Sequence, residues 1–162
     1  YLQAFGCRLL AFDPYFKGDP APVQLVDLAT LLRESDVVSL HARLTPETQH
    51  LIGRKELSMM KRTAVLVNTA RSGLVDEPAL ISALAERRIM GAALDVFDTE
   101  PLPTGHPLLR LDNVTLTPHL AGSTRDGFRN TPVLMAGFLA KLLRGEEPVP
   151  IVNGIKPHML NR

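Results

Sequence analysis

Short apolar runs recur along the chain, and a polar residue follows each of them. They predict five strands, over residues 9–12, 37–40, 64–68, 91–94 and 114–116. The first run, over residues 9–12, is continuous rather than alternating, which is typical of strands buried on both faces of a parallel sheet. Between them lie segments with helical leucine spacing, at residues 26–33, 54–60 and 124–143 and in the stretch after Asp76. Strands that alternate with helices predict an α/β fold with a doubly wound parallel sheet.

The helix after Asp76 is the clearest of these segments. Asp76 is expected to cap it, and Leu80, Ile81 and Leu84 form its expected buried face. Pro132 should kink or split the long helix over residues 124–143. Residues 148–153 are predicted to be extended, followed by a tail.

The chain begins with Tyr1, inside what we interpret as the last turn of a helix that Gly6 closes. We therefore expect this chain to be a fragment whose N-terminal part is missing. The predicted organisation is a truncated dinucleotide-binding domain over residues 1–123, a C-terminal helix and extended segment over 124–153, and a tail over 154–162.

Composition restricts the partners of this 162-residue chain, in which 45% of the residues are hydrophobic. A net charge of +1, from 18 basic and 17 acidic residues, gives no reason to propose nucleic acid as a partner. There is no run of 18 apolar residues and no signal peptide, so we expect no membrane partner and a cytoplasmic protein. The single cysteine, Cys7, excludes an internal disulfide and is expected to be a small buried apolar side chain.

A polar or ionisable group follows every predicted strand. In open α/β sheets, ligands bind beyond the carboxyl ends of the strands, so this pattern predicts a site. The groups concerned are Asp13, His41, Thr69 with Arg71, Asp95, and His119.

Each of these groups also has an interpretation without function. Asp13 can accept hydrogen bonds from the adenosine ribose and repel a 2′-phosphate, or it can simply begin an Asp-Pro turn. Arg71 can clamp a carboxylate or be an exposed loop arginine. Glu100 can be a solvated carboxylate, or it can reach His119 and fix the tautomer of its imidazole. Taken alone, His119 is more often structural than catalytic.

Three stretches together form a recognisable pattern. Residues 68–77, 93–101 and 117–122 resemble the three signatures of the D-isomer specific 2-hydroxyacid dehydrogenases, in order and spacing. The resemblance extends over residues 1–153. Arg43 stands where the family usually has proline, Ser72 replaces a frequent glycine, and Pro132 is unusual for the family.

The resemblance implies a Rossmann-like fold and hydride transfer between nicotinamide and a 2-oxo or 2-hydroxy acid. Arg71 would bind the substrate, His119 would donate or accept the proton, and Glu100 would pair with His119. The resemblance also implies a homodimer. The implied cofactor is NAD, which Asp13 would favour over NADP by repelling a 2′-phosphate, although Lys17 would reduce that repulsion. The implied cofactor-binding residues are Asp13, His41, Thr69, Ala70, Arg71, Asp95, His119 and Gly122.

Two parts of the family's structure have no counterpart in this sequence. The 11 glycines form no G-x-G-x-x-G, and no substrate domain precedes the cofactor domain. Without the first Rossmann strand we expect two groups of strands with an unpaired gap, weak or no NAD binding, and no turnover by this chain alone. Two alternatives stay open: an NAD-sensing interaction module like the corepressors that share this fold, and a catalytically inactive fragment.

Overall fold

The computed structural model describes residues 1–146, whose strands form two parallel sheets. In the first sheet β1 (Leu10–Ala11) pairs with β2 (Gln24–Leu25). The second has four strands, hydrogen-bonded in chain order: β3 (Val37–Leu40), β4 (Val65–Asn68), β5 (Gly91–Leu94) and β6 (Val114–Leu116). This arrangement confirms the predicted α/β class with a parallel sheet. The two sheets agree with the expected division of the strands into two groups.

Helices α1 (Leu28–Glu34), α2 (Arg54–Met59) and α3 (Glu77–Ala85) connect strands, and α4 (Arg125–Leu143) follows β6. The Asp76 carboxylate accepts a hydrogen bond of 3.0 Å from the Ala79 N–H, as predicted, and so caps α3. Short 3-10 turns span Leu2–Phe5, Ser72–Leu74 and Pro107–Arg110. Gly6 closes the first turn at φ 72°, a left-handed conformation that suits glycine.

The core lies in the unit that contains the four-stranded sheet. Leu32 of α1, Leu57 of α2, Leu80 of α3 and Leu66 of β4 are each at most 1% exposed. Each such side chain contributes about 1.5–3 kcal/mol through its removal from water. Strand β4 and helices α1, α2 and α3 therefore share one hydrophobic core.

Three details differ from the sequence-based expectations. Strand β2 was not predicted, because Gln24 and Leu25 are both exposed and form no apolar run. Helix α4 is continuous through Pro132, so the prediction that it splits there is wrong. Cys7 is exposed rather than buried, because residues 1–8 are all exposed. The predicted extended segment over 148–153 and the tail lie outside the described residues.

Strand β3 lies at the edge of its sheet and is covered on one face only. Val38 and Leu40 are 3% and 6% exposed, whereas Val37 is 62% exposed. The expectation that every strand is buried on both faces is therefore wrong for β3. Central strand β4 fits it better, since Leu66 and Asn68 are buried and Val65 and Val67 are half-buried.

The chain divides into two compact units, Tyr1–His119 and Leu120–Arg162. The described part of the second unit contains α4, which Thr124 caps by accepting a hydrogen bond from Gly127 N–H at 2.9 Å. Among residues 1–146, none of the helices has the length and apolar character needed to cross a membrane.

Candidate functional site

The carboxyl ends of the four paired strands lie in register. Their final residues are partners of one another: Leu40 with Asn68, Asn68 with Leu94, and Leu94 with Leu116. The residues immediately beyond them therefore follow one another along one edge of the sheet: His41, Thr69, Asp95 and Thr117. This is the edge at which open α/β sheets bind ligands.

His119 follows this edge by two residues and has an unusual backbone conformation. Its φ is 54°, and its N–H donates to the Thr117 carbonyl oxygen at 3.0 Å. The left-handed region costs a residue with a side chain about 1–2 kcal/mol, although histidine is found there more often than most. Such conformations cluster at functional sites.

Glu100 contacts the His119 ring. Glu100 Oε2 lies 2.8 Å from His119 Nδ1, and Glu100 Oε1 accepts a hydrogen bond from the Phe97 N–H at 3.0 Å. The bond from His119, and then the bond from Phe97, hold the pKa of Glu100 below its ordinary value, while nearby Asp95 opposes them. The ionised carboxylate fixes a proton on Nδ1. Among the described residues nothing bonds to Nε2, which stays available to a ligand.

Arg71 comes immediately before the Ser72–Leu74 turn, and its guanidinium is free to bind an anion. Its Nη1 donates to the Ala70 carbonyl oxygen at 2.6 Å, and the side chain is exposed. Within residues 1–146 it forms no ion pair with a carboxylate. A guanidinium without a protein counter-ion can bind a ligand carboxylate through two parallel hydrogen bonds. The structure gives no contact between Arg71 and the His119–Glu100 pair.

Asn68 shapes the loop that carries Arg71. Its side chain is 1% exposed, and both ends of its amide are bonded. Nδ2 donates to the Arg71 carbonyl oxygen at 2.9 Å, and Oδ1 accepts from the Ala70 N–H at 3.1 Å. Asn68 is not among the site residues that the sequence predicts. The available signal was an asparagine at the end of an apolar strand, where its side chain commonly folds the next residues into a turn.

Asp95 is 2% exposed, and Thr117 supports it from the neighbouring strand end. The Thr117 hydroxyl donates to Asp95 Oδ1 at 2.5 Å. A buried carboxylate needs such donors, because loss of hydration is otherwise costly. Thr117 was also not predicted as a site residue, although its position directly after a strand is the same as that of Asp95.

The remaining predicted residues occupy separate places. Asp13 is exposed after β1, and its Oδ1 accepts from the Tyr15 N–H at 2.9 Å, so it does begin a turn. His41 is exposed, with Nε2 2.9 Å from Ser39 Oγ. Gly122 belongs to the second unit.

Two carboxylates of the first unit differ in how open they are to a ligand. The Asp13 turn bond uses Oδ1 alone and leaves Oδ2 to accept from ribose hydroxyls. Asp95 places a carboxylate at the sheet edge, but its side chain is 2% exposed and already accepts from the Thr117 hydroxyl. Among residues 1–146, no group of three or more His, Cys, Asp or Glu is placed to hold a metal ion.

Comparisons with known proteins match this chain to one family. The family described as "D-isomer specific 2-hydroxyacid dehydrogenase, NAD binding domain" matches residues 1–121. Glyoxylate reductase from Thermofilum pendens is 46% identical over 94% of this chain and 46% of its own length. D-3-phosphoglycerate dehydrogenase from Methanocaldococcus jannaschii is 42% identical over 98% of this chain and 33% of its own length.

A solved structure gives the same result. The D-isomer specific 2-hydroxyacid dehydrogenase from Lactobacillus delbrueckii ssp. bulgaricus, in its NAD-complexed form, superposes with a TM-score of 0.83 at 35% identity. The match covers 93% of this chain and 50% of that one. The chain thus spans half or less of the length of these relatives.

Proposed function

Because the chain belongs to the D-isomer specific 2-hydroxyacid dehydrogenase family, through its NAD-binding domain, we propose that the protein is an NAD-dependent oxidoreductase. It interconverts a 2-oxo acid and a 2-hydroxy acid. The observation that carries this proposal is the His119–Glu100 pair, 2.8 Å apart, beyond the carboxyl ends of the strands. The pair leaves His119 Nε2 available to hold or release a proton.

The residues of this chain perform the proton transfer and the charge stabilisation. The bound cofactor supplies or accepts the hydride at the substrate C2 atom. In the direction of reduction, His119 Nε2 gives its proton to the keto oxygen, and in the direction of oxidation it takes that proton back. The ionised Glu100 stabilises the imidazolium. Arg71 binds the substrate carboxylate and stabilises the charge that develops on the keto oxygen.

Other residues at the sheet edge hold the cofactor in this proposal. Asp13 accepts from the adenosine ribose and disfavours a 2′-phosphate, which selects NAD over NADP. His41 lies beside the adenine, and Asp95 accepts from the nicotinamide carboxamide. The backbone of Thr69, Ala70 and Arg71 lines the dinucleotide.

We further propose that the substrate is a small 2-oxo or 2-hydroxy acid and that the functional protein is a homodimer. A cytoplasmic location is compatible with the exposed free thiol of Cys7, which persists most readily in a reducing compartment.

Turnover by the protein expressed from its complete reading frame tests the proposal. We expect NADH oxidation with glyoxylate or hydroxypyruvate, and a loss of about 10²–10⁴-fold in kcat for His119→Asn. His50→Asn is a matched control, because His50 is also exposed and has a φ of 52°. It should leave kcat unchanged. NAD binding without reduction of any 2-oxo acid would instead favour a nucleotide-sensing interaction module.

A further inference from the structure

The loop over residues 97–106 carries Glu100 but contains no helix or strand. It runs from Phe97 to His106 and holds two prolines, Pro101 and Pro103. Few of its backbone groups are bonded within it: the Phe97 N–H donates to the Glu100 side chain, and the His106 N–H donates to the Pro103 carbonyl oxygen at 2.9 Å. The position of Glu100 must therefore depend on groups outside the loop.

One carboxylate contacts the loop near both ends. Glu77, the first residue of α3, places Oε1 3.1 Å from His106 Nε2. Its Oε2 accepts a longer bond, 3.5 Å, from the Asp98 N–H. The Glu77 and His106 side chains are only 15% and 16% exposed, so water competes little for the bond between them.

The second contact of His106 fixes its tautomer. His106 Nδ1 accepts from the Leu108 N–H at 3.4 Å, at the start of the Pro107–Arg110 turn. Because Nδ1 accepts, the proton of the neutral ring lies on Nε2 and points at Glu77. Both ends of the loop thus donate to Glu77, one to each oxygen of its carboxylate.

We propose that Glu77 is a positioning residue of the dehydrogenase, which holds the loop over residues 97–106 so that Glu100 reaches His119. The proposal rests on the function proposed above. Glu77 acts through Glu100 and has no contact with His119 among the described residues. Its bonds to Asp98 and His106 lie on either side of Glu100 in the chain.

The titration of Glu100 reports directly on this positioning in the 162-residue chain. Its pKa is held low chiefly by the bond from His119. If the loop shifts, the bond to His119 is lost and the pKa of Glu100 rises towards its ordinary value. Carbon-13 spectra of the side-chain carboxyl groups follow this titration residue by residue. The His119→Asn variant supplies the Glu100 pKa in the absence of the imidazole.

Two substitutions disrupt the bond between Glu77 and His106, one at each partner. Glu77→Gln places an amide N–H group opposite either His106 Nε2 or the Asp98 N–H, so one of these two donors loses its acceptor. His106→Asn keeps an acceptor for the Leu108 N–H but cannot reach Glu77, whereas His106→Gln can extend its amide to the Nε2 position. The matched control is Glu56→Gln, since Glu56 is a first-turn glutamate of α2 whose Oε2 accepts from the Gly53 N–H at 3.2 Å.

We expect Glu77→Gln and His106→Asn to raise the Glu100 pKa towards its value in His119→Asn, with His106→Gln restoring it and Glu56→Gln leaving it unchanged. A Glu100 titration unmoved by both Glu77→Gln and His106→Asn overturns the proposal. If Glu77→Gln does not fold, His106→Asn with its His106→Gln rescue decides the matter alone.

Turnover separates the positioning role from the proposed reaction. In the protein expressed from its complete reading frame, Glu77→Gln should lower kcat about tenfold or more, with a smaller change in KM, because it weakens proton transfer rather than binding. An unchanged kcat in an active protein overturns the proposal. If the Glu100 pKa shifts as expected but even the unsubstituted protein reduces no 2-oxo acid, the proposed reaction fails while the placement of Glu100 by Glu77 stands.

Discussion

Asn68→Asp should destabilise the protein in a pH-dependent way. The Asn68 side chain is 1% exposed and bonds the loop at two points, through Nδ2 to the Arg71 carbonyl oxygen and through Oδ1 from the Ala70 N–H. A carboxylate at this position keeps the second bond. In place of the first bond, a carboxylate oxygen faces the Arg71 carbonyl oxygen, so two acceptors meet in a site that excludes water.

The magnitude follows from these two changes. Losing the bond to the Arg71 carbonyl oxygen costs about 1 kcal/mol, and leaving a buried acceptor without a donor adds about 1–3 kcal/mol. We therefore expect Asn68→Asp to lower the free energy of unfolding by about 2–4 kcal/mol near pH 7. The protonated carboxyl group restores a donor, so its folded-state pKa is raised above the ordinary value for an aspartate.

The sign of the pH dependence follows from that raised pKa. Because the protonated form fits the folded protein, the cost should be smallest below about pH 4, the ordinary value for an aspartate, and should grow as the pH rises through the raised pKa. Urea unfolding followed by circular dichroism, at about pH 4.5 and about pH 7, measures the difference between this variant and the unsubstituted chain.

The matched control is Asn130→Asp, at an exposed position of α4, where the change should stay within about 0.5 kcal/mol at both pH values. An equal cost for Asn68→Asp at the two pH values would refute the reasoning. That result would mean that the introduced carboxyl group does not face the Arg71 carbonyl oxygen.

Three further predictions concern the core, the buried carboxylate and the cofactor. Leu66→Ala should cost about 2–5 kcal/mol in urea unfolding because Leu66 is 0% exposed, while Val37→Thr, at a 62% exposed position, should cost less than about 1 kcal/mol. Thr117→Val removes the donor to Asp95 and should cost about 1–3 kcal/mol, with Thr115→Val, at an exposed position of β6, as the control; equal effects would contradict the role of that bond. Asp13→Ala in the protein from its complete reading frame should raise the affinity for NADP relative to NAD about tenfold. The control Asp19→Ala removes a similar turn bond from the Ala21 N–H and should leave the ratio of NADP to NAD affinity unchanged. An unchanged ratio for Asp13→Ala would mean that another residue determines the cofactor selectivity.

Much of the fold could be predicted from the sequence because local signals agreed with tertiary ones. Apolar runs marked five of the six strands, and Asp76 marked the start of α3. The exception, β2, is two exposed residues held by backbone bonds to the chain around β1, such as the 2.9 Å bond from Gln24 N–H to the Leu9 carbonyl oxygen. No pattern of apolar and polar side chains predicts such a strand.

The sequence by itself determined which chemical groups stand after the strands, because parallel strands that alternate with helices deliver their carboxyl ends to one edge. Only the tertiary structure decided which of those groups meet. His119 and Glu100 are 19 residues apart, and Glu77 and His106 are 29 apart. Irregular loops bring each pair together, and their course depends on specific hydrogen bonds rather than on a repeating pattern of side chains. The amide of Asn68 and the tautomer of His106 become interpretable only once their partners are in place.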